Sequence, residues 1–139
     1  MSIEAIKADF EFLDDWEDRY RYVIELGREL EPLAAAEKTE ATRVRGCASQ
    51  VWLVVDTPAD AGADTLNFRG ESDAHIVHGL IAILRAIYSG QSSRTVLDTD
   101  ALAIFTELGL SDHLTPQRSN GLKSMIERIR AEAQLRLAG

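Results

Sequence analysis

The sequence predicts an α+β fold, a small antiparallel sheet covered by helices. Three observations lead there. Gln50 to Asp56 is a short β-branched and aromatic run, and Leu66 and Phe68 alternate with Asn67 and Arg69 shortly after it, so the two segments read as the strands of a hairpin. Ala74 to Tyr88 is apolar on nearly every side, the pattern of a central helix. The segments before and after these carry apolar residues at helical spacing, so helices flank the sheet. A chain of 139 residues, 45% of them hydrophobic, is long enough to bury a real core and is expected to form one domain over residues 1–139.

Taken in order, Ile3, Ile6, Phe10 and Leu13 predict a first short amphipathic helix. Asp14 or Asp15 then caps a second, with Glu17 placed to complete a capping box with Asp14. Its inward face is expected to carry Trp16, Tyr20, Val23, Gly27 and Leu30, and it ends near Pro32. Ala34 to Arg43 connects to the hairpin, with a short third strand expected near Arg43 to Arg45. Thr57 to Asp64 supplies the turn residues of the hairpin. Ser72 and Asp73 are the expected caps of the central helix, which stops at Ser89-Gly90. Asp98 or Thr99 caps a shorter helix terminated by Gly109. Thr115 caps the last helix, Pro116 takes its first position, and Leu122, Met125, Ile126 and Ile129 form its apolar stripe.

Bulk properties exclude several classes of function. A formal net charge of −8 opposes phosphate binding, so nucleic acid is not an expected partner. Arg85 interrupts the longest apolar run, so no membrane span is expected. Met1 to Lys7 lacks a basic segment followed by an apolar one, so no secretory signal is expected. One cysteine forms no internal disulfide, which fits a reducing cytoplasm.

That cysteine, Cys47, follows Gly46 at the mouth of the first strand, in Arg43-Val44-Arg45-Gly46-Cys47-Ala48-Ser49-Gln50-Val51-Trp52. Glycine reaches backbone angles closed to other residues, so Gly46 suits a tight loop and a hinge that presents the thiol. Arg43 and Arg45 are expected to lower the thiol pKa, since nearby positive charge favours the thiolate. Trp52 and Val51 are expected to wall the thiol from water, although core packing explains them equally well. Arg118 sits in the first turn of the last helix, where unpaired N–H groups and the helix dipole favour an anion such as a thiolate or persulfide. A surface arginine in a helix cap would look the same. Asp73, beside Glu71, is adequately explained as a helix cap. His75 and His78, at i and i+3, read as two solvent-facing histidines rather than metal ligands, because zinc sites want four ligands and this chain has one cysteine. His113, preceded by Asp112, is a candidate base for a cysteine hydrolase with Cys47, but nothing in the sequence brings the two together.

The motif Gly46-Cys47-x-Ser49-x-Val51-Trp52 resembles the active loop of the SufE family, sulfur acceptors of cysteine desulfurases in iron–sulfur cluster assembly. Gly70 to Ala82 and Leu114 to Leu122 are similar to the same family in order, so the resemblance runs from about Trp16 to Ala133. One departure is Ala48, where many members carry glutamine. The resemblance implies the α+β fold shared with iron–sulfur scaffold proteins and a persulfide carried on Cys47. It implies that the Arg118 segment lies beside the cysteine loop, and that the Asp73 turn flanks that loop and holds it closed at rest. The implied donor is a pyridoxal-phosphate cysteine desulfurase of the SufS or CsdA type, and the implied receiver an iron–sulfur scaffold. The pyridoxal chemistry belongs to the donor, and no cofactor or metal is expected on this chain. The site expected on these grounds is Cys47, Arg118 and Asp73. The alternative is an iron–sulfur or zinc scaffold bound through Cys47 and the histidines, which a single thiolate disfavours.

Overall fold

The computed structural model describes residues 2–56 and 65–138. The predicted hairpin turn, Thr57 to Asp64, lies outside the described residues. Helices α1 (Ile3–Phe12) and α2 (Trp16–Arg28) lead through a single 3-10 turn, Ala35–Glu37, to strand β1 (Val51–Asp56). Strand β2 (Thr65–Ser72), helix α3 (His75–Tyr88), strand β3 (Gln91–Ser92), helices α4 (Ser93–Asp98) and α5 (Ala101–Glu107), and helix α6 (Pro116–Ala138) follow. The sheet is antiparallel in the order β1-β2-β3, with Val51 opposite Ser72 and Asp56 opposite Asn67. The α+β expectation holds.

Period-two alternation sends Leu66, Phe68, Gly70 and Ser72 of β2 inward, with Val51 and Leu53 of β1. Onto that face packs α3, whose Ile76, Val77, Leu80, Ile81, Ile83, Leu84, Ile87 and Tyr88 are all buried. Burying each such side chain stabilises the fold by roughly 1.5–3 kcal/mol, which is why this helix sits centrally. On its other side, α2 crosses it at a glycine pair. A Cβ on Gly27 would come within 2.8 Å of the Gly79 nitrogen, and one on Gly79 within 2.2 Å of the Val23 carbonyl oxygen. Helix α6 closes the core with Leu122, Met125, Ile126, Ile129 and Ala133.

Several local expectations are corrected. Asp15 alone caps α2, accepting from the Glu17 N–H at 3.1 Å, and no Asp14 box forms. Tyr20 is exposed, and Leu26 takes its place on the buried face. The third strand is β3, not the segment at Arg43 to Arg45, which makes only one bridge, Arg43 to Trp52. The pairing is cut short on both sides: upstream the Arg43 N–H is taken by the Thr39 carbonyl at 3.0 Å in a turn, and downstream Gly46 turns the chain away. The region before Gly109 holds two helices. Thr99 ends α4, and Asp100 starts α5 by accepting from the Ala103 N–H at 3.1 Å.

Candidate functional site

Cys47 lies between two anchored segments. Before it, the Val44 N–H donates to the Val51 carbonyl at 2.8 Å, and the Leu53 N–H to the Thr42 carbonyl at 2.9 Å. Gly46 turns the chain with φ +87°, a left-handed conformation that disfavours side chains, and its Hα face abuts Ser124, whose Oγ would stand 2.6 Å from any Cβ there. The predicted turn at Gly46 is therefore real, and it is tight.

Cys47 is half-buried, with its side chain directed at the start of α6. Its Sγ donates to the Gly121 carbonyl at a sulfur–oxygen distance of 3.7 Å. Gly121 permits this approach, because a Cβ there would stand 3.3 Å from Sγ. Val77 of α3 and Leu122 and Met125 of α6 supply the apolar lining, with Ala48, Ser49, Gln117 and Arg118 around it. The cavity left over is about 10 Å³, at the lower limit for one water molecule. Trp52 is not among the lining residues. It stands on the opposite face of β1 from Val51, under the Lys38 ammonium at 5.4 Å from the ring centroid. The sequence pointed to the wrong wall because the tryptophan is adjacent in the chain, whereas Val77 and Met125 arrive from other elements.

The thiol's electrostatics also differ from expectation. Burial pushes the Cys47 pKa up, and Arg43 opposes this without reversing it. Arg45 contributes nothing at this position, since it is exposed and reaches Glu40 at 3.4 Å. The structure therefore stores a protonated thiol, and its conversion to thiolate is favoured by moving it toward water.

Arg118 is where the helix start places it, half-exposed on the rim of the Cys47 cavity. Its N–H donates to the Thr115 Oγ at 3.2 Å, which confirms the Thr115 cap. Among the described residues, its guanidinium makes no ion pair. It is a cation on a residue of the cavity rim, while the charge that acts on the thiol in this conformation is that of Arg43.

Asp73 proves not to be the α3 cap. The N-cap is Ala74, which has no capping side chain, and the Ala74 N–H is taken by Ser72 Oγ at 3.2 Å. Asp73 Oδ1 instead accepts from the Gln50 N–H at 3.0 Å, while its own N–H donates to the Gln50 carbonyl at 3.3 Å. It fastens the downstream end of the cysteine loop to the turn between β2 and α3. Asp73→Ala is expected to raise the alkylation rate of Cys47 by iodoacetamide several-fold, with Asp73→Asn, which keeps the acceptor, close to the parent. Loss of one hydrogen bond of about 1 kcal/mol sets that scale. Equal rates in all three folded proteins would show that the contact does not restrain the loop.

The histidines divide. His75 is exposed as expected, but His78 is half-buried and its Nδ1 accepts from the Ser72 N–H at 3.1 Å. His113 stacks on Trp16 with ring centroids 3.5 Å apart, and none of these histidines lines the Cys47 cavity. Among the described residues, no group of three or more His, Cys, Asp or Glu side chains is placed to hold a metal. No described helix is long and apolar enough to cross a membrane.

Fold and site together define a class: an α+β domain that presents one sheltered thiol on a glycine-led loop. Comparison with known proteins gives the family. The SufE family model, described as an Fe–S metabolism associated domain, matches residues 4–133. An uncharacterized SufE-like protein of Rhizobium etli is 54% identical over 137 residues, covering 99% of this chain and 93% of its own. Another, from Rhizobium meliloti, is 54% identical over 136 residues, covering 98% of this chain and 97% of its own. The solution structure of a hypothetical protein from Thermus thermophilus aligns over the whole of both chains with TM-score 0.76 at 21% identity, a likeness of fold. This chain belongs to the SufE family, and with it to the proteins associated with iron–sulfur metabolism.

Proposed function

We propose that the protein accepts sulfur from a pyridoxal-phosphate cysteine desulfurase, carries it as a persulfide on Cys47, and passes it to an iron–sulfur scaffold. The observation that carries this reading is the enclosure of the chain's one thiol by Val77, Leu122 and Met125, with the Arg118 cation at its rim. A persulfide needs such an enclosure, because bulk thiols would strip its outer sulfur.

In the transfer step, the Cys47 thiolate attacks the terminal sulfur of a persulfide on the donor. The new bond joins Cys47 Sγ to that sulfur. The donor's own sulfur–sulfur bond breaks, its electron pair leaves on the donor cysteine as a thiolate, and no external oxidant or reductant is consumed. The raised thiol pKa gives the loop a part in this step. Inward, the thiol is protonated and quiet; swung out about Gly46, it regains water and ionises more readily. A donor that binds the outward loop more tightly would draw it out, since only differential affinity shifts such a population. Returning with a second sulfur atom, the side chain would overfill a cavity of about 10 Å³, and the flexible Met125 is the wall residue suited to yield. One thiol and no disulfide suit this work in a reducing cytoplasm.

Arg118 would hold the thiolate or persulfide anion at the cavity rim. Arg118→Ala is expected to slow sulfur transfer by about fivefold to tenfold, the equivalent of roughly 1 kcal/mol, while changing folding stability by less than about 1 kcal/mol. The measurement is the rate of label transfer from a desulfurase charged with radiolabelled cysteine, beside a thermal melt. An unchanged rate with unchanged stability would return Arg118 to the role of a helix-start surface residue.

A further inference from the structure

His78 is bound into the restraint on the cysteine loop although it does not line the thiol cavity. Its Nδ1 accepts the Ser72 N–H at 3.1 Å, and Ser72 Oγ accepts the Ala74 N–H at 3.2 Å. Between these two residues stands Asp73, whose carboxylate takes the Gln50 N–H three positions after Cys47. The turn that fastens the loop is thus itself fastened by an imidazole nitrogen acting as an acceptor. The acceptor exists only in the neutral ring with its proton on the other nitrogen, because a protonated histidine has two donors and no acceptor. We propose that His78 is a positioning residue for Cys47, holding the Ser72–Ala74 turn and through it the Gln50 end of the thiol loop only while its imidazole is neutral.

The surroundings set the sense of the dependence. His78 lies where α2 crosses α3, beside a groove lined by Gly27 and Arg28 of α2, Glu71 and Ser72 of β2, and His75 of α3. Burial lowers its pKa below the ordinary imidazole value, and His75 adds to that effect. The Ser72 N–H on Nδ1 likewise favours the neutral ring, while the Glu71 carboxylate and the Gly27 backbone act the other way without reversing the shift. Glu71 is itself engaged by Lys38 and by the Leu33 N–H, and Arg28 by Glu25, so neither Glu71 nor Arg28 is a free charge. A folded-state pKa below the unfolded one means that the contribution is complete above about pH 6.5 and is lost as pH falls through the folded value. Acidification therefore releases the turn; alkaline conditions keep it closed.

The test uses the isolated protein, so its outcome is independent of whether Cys47 accepts sulfur from a desulfurase. Hydrogen exchange of the Ser72 and Gln50 amides is followed between about pH 8 and about pH 5, corrected for intrinsic exchange, together with the reaction of Cys47 with 4,4′-dithiodipyridine. In the parent, protection of both amides is expected to fall on the order of tenfold toward the acid end, with a matching rise in thiol reactivity above that set by thiolate ionisation. His78→Asn, which places a carbonyl oxygen near the Nδ1 position, is expected to keep the loop protected at every pH. His78→Ala is expected to be unprotected at every pH. A parent whose protection is level across the range overturns the proposal whatever the variants do, and so does a folded His78→Asn protein with the parent's own pH profile.

Discussion

Cys47→Ser is expected to melt as the parent does and to gain no sulfur when incubated with a desulfurase and cysteine, whereas the parent gains mass in whole sulfur atoms at Cys47. Stability is spared because the thiol is half-buried and makes one long contact, to the Gly121 carbonyl at 3.7 Å. Such a contact contributes little, so the smaller serine hydroxyl, on a shorter bond that falls short of the same acceptor, forfeits almost nothing. Acceptance is lost outright because the chain has no second cysteine, and a neutral hydroxyl is a poor nucleophile toward sulfur near neutral pH. Mass spectrometry of the intact protein, with proteolytic mapping, reads both results. If the serine variant stimulated the desulfurase as strongly as the parent does, the carrier role would be wrong.

The second large effect is on the frame that positions the site. Gly79→Ala is expected to destabilise the fold by about 3 kcal/mol net of the roughly 1 kcal/mol that alanine regains in helix propensity. The new Cβ would stand 2.2 Å from the Val23 carbonyl oxygen and 2.7 Å from Val23 Cγ1. A carbonyl oxygen on a helix cannot turn aside as a side-chain tip would, so α2 must move bodily from α3. That motion also disturbs His78, next in sequence, and hence the turn that holds Gln50. Thermal unfolding should drop by roughly 10 °C, and Cys47 should alkylate faster at temperatures where the variant is still folded. An unchanged melting point would mean that the two helices separate at no cost, against the close glycine crossing.

The two predictions differ in how far the sequence alone foresaw them. The cysteine loop was legible because its signals are local: a glycine before the only thiol, a β-branched strand after it, and a Thr-Pro pair opening the last helix. Gly46 has the left-handed φ, Thr115 caps, and Pro116 begins α6, all as local stereochemistry requires. The central helix was legible for the same kind of reason, since an apolar circumference has only one stable place in a soluble domain.

Two of the misreadings concern partners supplied from elsewhere in the chain. Asp73 beside a helix start looks like a cap, but its carboxylate is taken by Gln50, 23 residues away in sequence. Two histidines at i and i+3 look alike until α2 crosses above one of them and Ser72 donates to it. The segment at Arg43 had the composition of a strand, but it pairs with β1 through a single bridge between the turn at Thr39 and the turn at Gly46.

By itself the sequence determined the α+β class, the strand and helix that frame Cys47, and membership of the SufE family, because periodicity, caps and a motif are written in neighbouring residues. Only the tertiary structure decided which way the thiol faces, what walls it, and whether its pKa rises or falls. Those depend on the dielectric and the contacts that α3 and α6 bring to Cys47. Burial there outweighs the Arg43 charge that the local sequence displays, because desolvation acts over the whole enclosure while an arginine at the solvent boundary is screened.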